Sequence, residues 1–150
     1  MIVVDTSTII KGFIAHYREP KFIVDKIVDG TFRLAMTEEM AKELQMAVLA
    51  TAITYGKSPK PFLRHVASFI YHAKNVPSLT NFTSCADSED SMFIECAIDG
   101  QVDYVISSDR AIYQIKEYSK NNKELELIKN IQFFNPEEFY KAYHKKKITL

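Results

Sequence analysis

With 150 residues, 47% of them hydrophobic and 25% charged, the chain has the composition of a soluble globular protein large enough to build a core without staples. A formal net charge of zero excludes a global basic field advertising a nucleic-acid partner, while leaving room for a local patch. The two cysteines, Cys85 and Cys96, have no metal-type spacing to histidines and read as buried thiols in a reducing compartment.

In chain order, Ile2-Val3-Val4 is apolar on both faces, the pattern of a central strand in a mostly parallel sheet. It runs straight into Asp5-Thr6-Ser7, which places a costly carboxylate at the carboxyl edge of the sheet, where open α/β sheets bind ligands. A helical stripe follows at Ile9, Ile10, Phe13 and Ile14, then a second helix over 20–29 stopped by Gly30. Residues 32–36 form a strand candidate, and Thr37-Glu38-Glu39 caps a helix reaching about Ala52, with Met40, Leu44, Ala47, Val48 and Thr51 inward. Glu43 lies on or beside that stripe rather than opposite it. After a loop at 55–61, a helix runs to about Lys74 with Phe62, Val66, Phe69 and Ile70 inward. Residues 76–85 look irregular. Asp87 then stands as a cap before a helix whose apolar face is Phe93, Ile94, Ala97 and Ile98, with Asp90 on that face at the first turn and Gly100 as the stop. Tyr104 to Ser107 is a second buried strand ending in Ser108-Asp109-Arg110, and Ile112 and Ile115 continue as a helix. Residues 131–134 give the last strand, and Asn135-Pro136-Glu137-Glu138 opens the final helix. No linker or repeat interrupts this order, so the expectation is one α/β domain over 1–150.

Four acids, Asp5, Glu43, Asp90 and Asp109, thus fall at strand ends or inward helix positions. Carboxylates brought together raise one another's pKa unless a divalent cation sits among them. Oxygen-only ligands select hard ions, Mg²⁺ or Mn²⁺, which keep several waters and can polarise a phosphodiester. Ser7 and Ser107 are suited to orient the carboxylates. The plain alternative is that Asp87 and Asp109 are helix caps and Glu43 a stripe-edge side chain reaching solvent.

At these positions the chain resembles PIN-domain ribonucleases, in particular the VapC-type toxins of toxin–antitoxin pairs. The carrying motifs are Val3-Val4-Asp5-Thr6-Ser7, the glutamate in Thr37-Glu38-Glu39-Met40-Ala41-Lys42-Glu43-Leu44, the acids before Phe93 to Ala97, Val105-Ile106-Ser107-Ser108-Asp109, and the closing Phe133-Phe134-Asn135-Pro136-Glu137-Glu138-Phe139. The resemblance implies a three-layer α/β/α domain with a central parallel sheet of about four or five strands. It also implies a Mg²⁺- or Mn²⁺-dependent endoribonuclease with Asp5, Glu43, Asp90 and Asp109 as metal ligands and Ser7 and Ser107 in support. Asp87 competes with Asp90 for the third acidic place; distance to Ala97, Gly100 and Asp109 favours Asp90. Ser7 stands where the family more often has asparagine.

Lys57, Lys60, Arg64 and Arg110 are the candidate RNA contacts, with Tyr55 and Tyr71 as possible stacking residues. A receiver domain would need an adjacent acidic pair after the first strand, and a haloacid-dehalogenase phosphatase a second aspartate where Ser7 stands. The stronger rival is a catalytically inactive PIN-like module that binds RNA or a protein partner. From the resemblance, a cognate antitoxin and a homodimer are expected. The absence of a leader pattern and of any run of membrane-spanning length leads to the expectation of a cytoplasmic protein without membrane contact.

Overall fold

The apolar run at the start forms β1 (Ile2–Val4), and its three side chains are buried, as a strand covered on both faces requires. All 150 residues are described by a computed structural model. β1 pairs in parallel with β4 (Tyr104–Ile106), placing Val3 beside Val105, and β4 pairs in parallel with β5 (Gln132–Phe134). The order β1-β4-β5 puts fully buried β4 at the centre and leaves half-exposed β5 on an edge.

The parallel strands expected from the sequence are present, in two pieces rather than one continuous sheet. Five parallel strands exist, but the other two, β2 (Ala35–Met36) and β3 (Lys74–Asn75), form a separate pair of two residues each. One bridge between Ile2 and Leu34, with the Ile2 amide donating to the Arg33 carbonyl at 2.9 Å, joins the two pieces. β2 is short because Thr37 turns the chain at once into the next helix, its hydroxyl accepting the Met40 amide at 3.2 Å.

Helices cover the strands in an α/β/α arrangement. α1 (Thr6–Phe13) packs closely on α2 (Arg18–Val28), and Gly12 permits this, since a Cβ there would meet the Pro20 carbonyl oxygen at 2.4 Å. α3 (Glu38–Thr54) and α4 (Pro59–His72) pack on each other. A short 3₁₀ turn (Ser88–Asp90) leads into α5 (Ser91–Asp99). The helix expected after Asp109 is broken at Gln114 into α6 (Arg110–Tyr113) and α7 (Ile115–Tyr118). Asn121 caps α8 (Asn122–Ile128) by accepting the Lys123 and Glu124 amides at 3.1 and 3.2 Å. α9 (Pro136–His144) closes the fold with an aromatic cluster in which Phe139 lies 5.6 Å from Phe32, centroid to centroid. The buried apolar side chains form one continuous core. Cys96 is buried as expected, but Cys85 is only half-buried; burial pushes their thiols up to about 12 and about 11.

Candidate active site

Asp5 and Asp109 both follow buried parallel strands, β1 and β4, which are hydrogen-bonded neighbours, so the topology brings the two acids to one edge. Each also caps a helix, Asp5 accepting the Thr8 amide at 3.0 Å and Asp109 the Ala111 amide at 2.9 Å, through Oδ1 in both cases. Capping therefore occupies one carboxylate oxygen and leaves Oδ2. In Asp5 that oxygen accepts the Ser107 hydroxyl at 2.5 Å and the Ser7 hydroxyl at 3.3 Å. Ser107 also accepts the Asp109 amide at 3.0 Å, so one buried hydroxyl ties the end of β4 to both acids.

Asp5 is 3% exposed. Burial pushes its carboxyl above the ordinary carboxylate value, and donors from Ser107, Thr8 and Ser7 pull it back without cancelling the rise. Asp87 accepts the Glu89 amide at 3.0 Å and caps the 3₁₀ turn from an exposed position. Asp90 is different. It stands at the head of α5, caps nothing and is half-buried. Its pKa is pushed up to about 7, first by burial, then by the neighbouring carboxyl of Asp109, and further by the charges of Asp87 and Asp5. Asp90, Asp109 and Asp5 therefore share one field. Glu43 joins from α3, half-buried, its Oε2 accepting the Thr6 hydroxyl at 2.5 Å beside Asp5.

Several positioning contacts have no signature in the sequence. Thr6 holds Glu43, and the Thr8 hydroxyl meets the Ser108 hydroxyl at 3.1 Å and accepts the Ser108 amide at 3.2 Å, a second tie between the two strand ends. Hydroxyls crowded after Asp5 and before Asp109 were the only available hint.

The basic residues divide. Arg110 is exposed directly after Asp109. Lys57 instead reaches the Ile14 carbonyl at 3.4 Å, at the far end of α1, and lies 5.9 Å over the Phe62 ring. Eight residues of α1 separate that end from Asp5, about 12 Å of helix. Lys60 and Arg64 follow on the first turns of α4, and the structure does not bring this group to the acids. Tyr55 and Tyr71 are exposed, 57% and 83%.

No three His, Cys, Asp or Glu side chains converge into a ready-made metal cage. A hard ion that retains its waters needs only one or two protein carboxylates, and carboxylate oxygens are the donor type such ions take. Beside the acids, an open groove of about 760 Å³ is lined by Glu39, Lys42, Glu43, Met46, Glu89, Met92 and Glu95 among others.

Residues 1–111 match a family model described as PIN domain, a span that contains all four acids and ends before α7. No curated protein and no solved structure matches the chain.

Proposed function

The chain belongs to the PIN-domain family, and on that premise we propose that it is a Mg²⁺- or Mn²⁺-dependent endoribonuclease that hydrolyses RNA phosphodiester bonds. PIN domains are commonly nucleases and generally use divalent metal ions. The observation that carries the reading is the pair Asp5 and Asp109 at the ends of neighbouring parallel strands, tied together by Ser107, with the uncapped carboxyl of Asp90 raised by burial and by their charge.

Asp5, Glu43, Asp90 and Asp109 would surround the ion, one or two of them binding it directly and the others through its waters, with Ser7 and Ser107 in support. A bound divalent cation supplies Lewis-acid polarisation of the phosphodiester and offsets the charge that develops as it is attacked. The chain's own residues prepare that site. Ser107 and the Thr8 amide fix Asp5 through both oxygens, and Thr6 fixes Glu43. Asp90, raised to about 7, is shared between its two protonation states near neutrality and can give up its proton when positive charge arrives. Arg110 is available to meet an RNA phosphate, whereas Lys57, Lys60 and Arg64 would act only on a strand that extends around α1.

A role as the toxin of a toxin–antitoxin pair, with an antitoxin as partner and pairing as a homodimer, belongs to the same proposal. The groove beside the acids favours a protein partner: Glu39, Glu43, Glu89 and Glu95 repel phosphate, while α3 exposes Met46 at 72% and Ile53 at 62%. The same groove supports the alternative of a non-catalytic PIN-like module. Incubating the purified protein and Asp90→Asn with single-stranded RNA, Mn²⁺ or Mg²⁺, and a chelator control separates the two. Metal-dependent fragments from the wild type alone support the nuclease, with Asp87→Asn cleaving normally. No cleavage and no Mn²⁺ binding by calorimetry would overturn it and leave the binding module.

A further inference from the structure

Between β3 and the 3₁₀ turn, the chain from Val76 to Asp87 has no regular structure, yet carboxylates meet its amides in series. The Leu79 and Thr80 amides donate to Asp99 Oδ2 at 2.8 and 3.0 Å, and the Thr80 hydroxyl donates to Oδ1 at 2.5 Å. The Phe82 amide donates to Glu95 Oε1 at 2.8 Å, and the Phe82 ring is buried in the core. The Thr83 amide donates to Glu124 Oε2 at 2.7 Å, and the Ser84 hydroxyl donates to Glu124 Oε1. Ser119 donates in turn to Ser84 at 2.8 Å.

The spacing has a meaning. Asp99 and Glu95 are one turn apart on α5, about 6 Å along the helix. Thr80 and Phe82 are two residues apart, about 6–7 Å of extended chain. The segment therefore runs antiparallel to α5 in register with it and arrives at the head of the same helix, where Asp87 and Asp90 stand. A slip of two residues would carry that turn about 6–7 Å away. Asp99 sits in the last turn of α5, where the helix dipole disfavours an acid, so the three donors it accepts explain its place there. Glu124 is buried, and although burial pushes both carboxyls up, the donors outweigh it and hold Asp99 and Glu124 below the ordinary carboxylate range.

We propose that Asp99, Glu95 and Glu124 are positioning residues that clamp this strap in one register and thereby deliver Asp90 to Asp109 and Asp5. The functional half of this inference rests on the nuclease reading. The clamp touches none of the reacting groups; it acts through the turn.

The test uses the full chain with Asp99→Ala and Glu124→Ala, and Asp99→Asn and Glu124→Gln as conservative rescues. Amide exchange followed by NMR should rise about tenfold or more at Leu79, Thr80 and Thr83 and also at Asp90 and Ser91, with Val3 and Val105 unchanged. Mn²⁺ affinity and kcat on single-stranded RNA should fall about tenfold with KM unaltered, and the amide variants should recover most of the loss. If the alanine variants do not fold, Thr80→Val and Ser84→Ala, each lacking one hydroxyl donor, are expected to shift the same amides about threefold. Unchanged exchange at Asp90 and Ser91 while the clamped amides accelerate would overturn the inference and make the strap merely structural. So would normal Mn²⁺ affinity and kcat in variants whose strap has loosened. A wild type that neither binds Mn²⁺ nor cleaves RNA would remove the nuclease reading instead, and exchange at Asp90 would still decide the positioning.

Discussion

Replacing Ser107 by alanine deletes one hydroxyl that works in two directions, donating to Asp5 and accepting the Asp109 amide. Asp5 is 3% exposed, so no water replaces the lost donor, and a hydrogen bond to a charged group of this kind contributes about 1.5–3 kcal/mol. The Asp109 amide lies at an exposed helix start and adds little once water reaches it. The expected loss is about 2 kcal/mol at pH 8, or about 4–8 °C in Tm for a chain of this length. The sign with pH follows from the raised native pKa of Asp5. Above the unfolded carboxylate value of 3.8, the native state keeps a proton that the unfolded chain has released, so stability falls as pH climbs through the native pKa. Ser107 is among the donors holding that pKa down, and its removal raises the pKa further and steepens the fall. The deficit of the variant is therefore largest at pH 8 and narrows as pH is lowered toward 4. Urea unfolding followed by circular dichroism at pH 8, 6.5 and 5, with a chelator present throughout, measures it. A deficit under about 0.5 kcal/mol, or one that grows as pH is lowered, would refute the reasoning.

Asp90→Asn should change the pH profile in a related way. With the native carboxyl at about 7 and the unfolded one near 3.8, the wild type loses stability as pH rises from about 4 through 7, and the variant lacks that loss. Melting temperatures of the two proteins should nearly coincide at pH 4, with the variant ahead at pH 8; a wild-type lead that widens with pH would contradict the assignment. Gly12→Ala places a methyl 2.4 Å from the Pro20 carbonyl oxygen, which is backbone and cannot swing aside. It should destabilise the chain by about 1–3 kcal/mol through separation of α1 from α2, a loss measurable in the same urea experiment.

The two acids at strand ends were legible because burial on both faces demands an uninterrupted apolar run, and Ile2-Val3-Val4-Asp5 and Val105-Ile106-Ser107-Ser108-Asp109 each show where such a run stops. Asp87 and Asp90 could be told apart in part, since a residue at capping distance and one on the apolar face of the same helix have different periodicity. The short strands were less legible. Two residues at Ala35–Met36 and two at Lys74–Asn75 carry no period, and Lys74 reads as the end of α4 because its pairing with β2 is invisible locally. The break at Gln114 was hidden by the apolar spacing of Ile112 and Ile115, which suits one helix as well as two short ones.

By itself, then, the sequence determined the longer helices, the buried strands and the edge at which Asp5 and Asp109 emerge, because helix and strand periodicity are local consequences of which faces must be buried. Tertiary structure alone decided the company those acids keep. Ser107 meets Asp5 across 102 positions of chain, Thr6 meets Glu43 across 37, and Thr83 meets Glu124 across 41. A hydroxyl or amide can donate to any carboxylate the fold brings within reach, so such contacts leave no spacing to read. The raised pKa of Asp90 has the same origin, since burial and the neighbouring charges of Asp109, Asp87 and Asp5 exist only once the strands and the strap are in place.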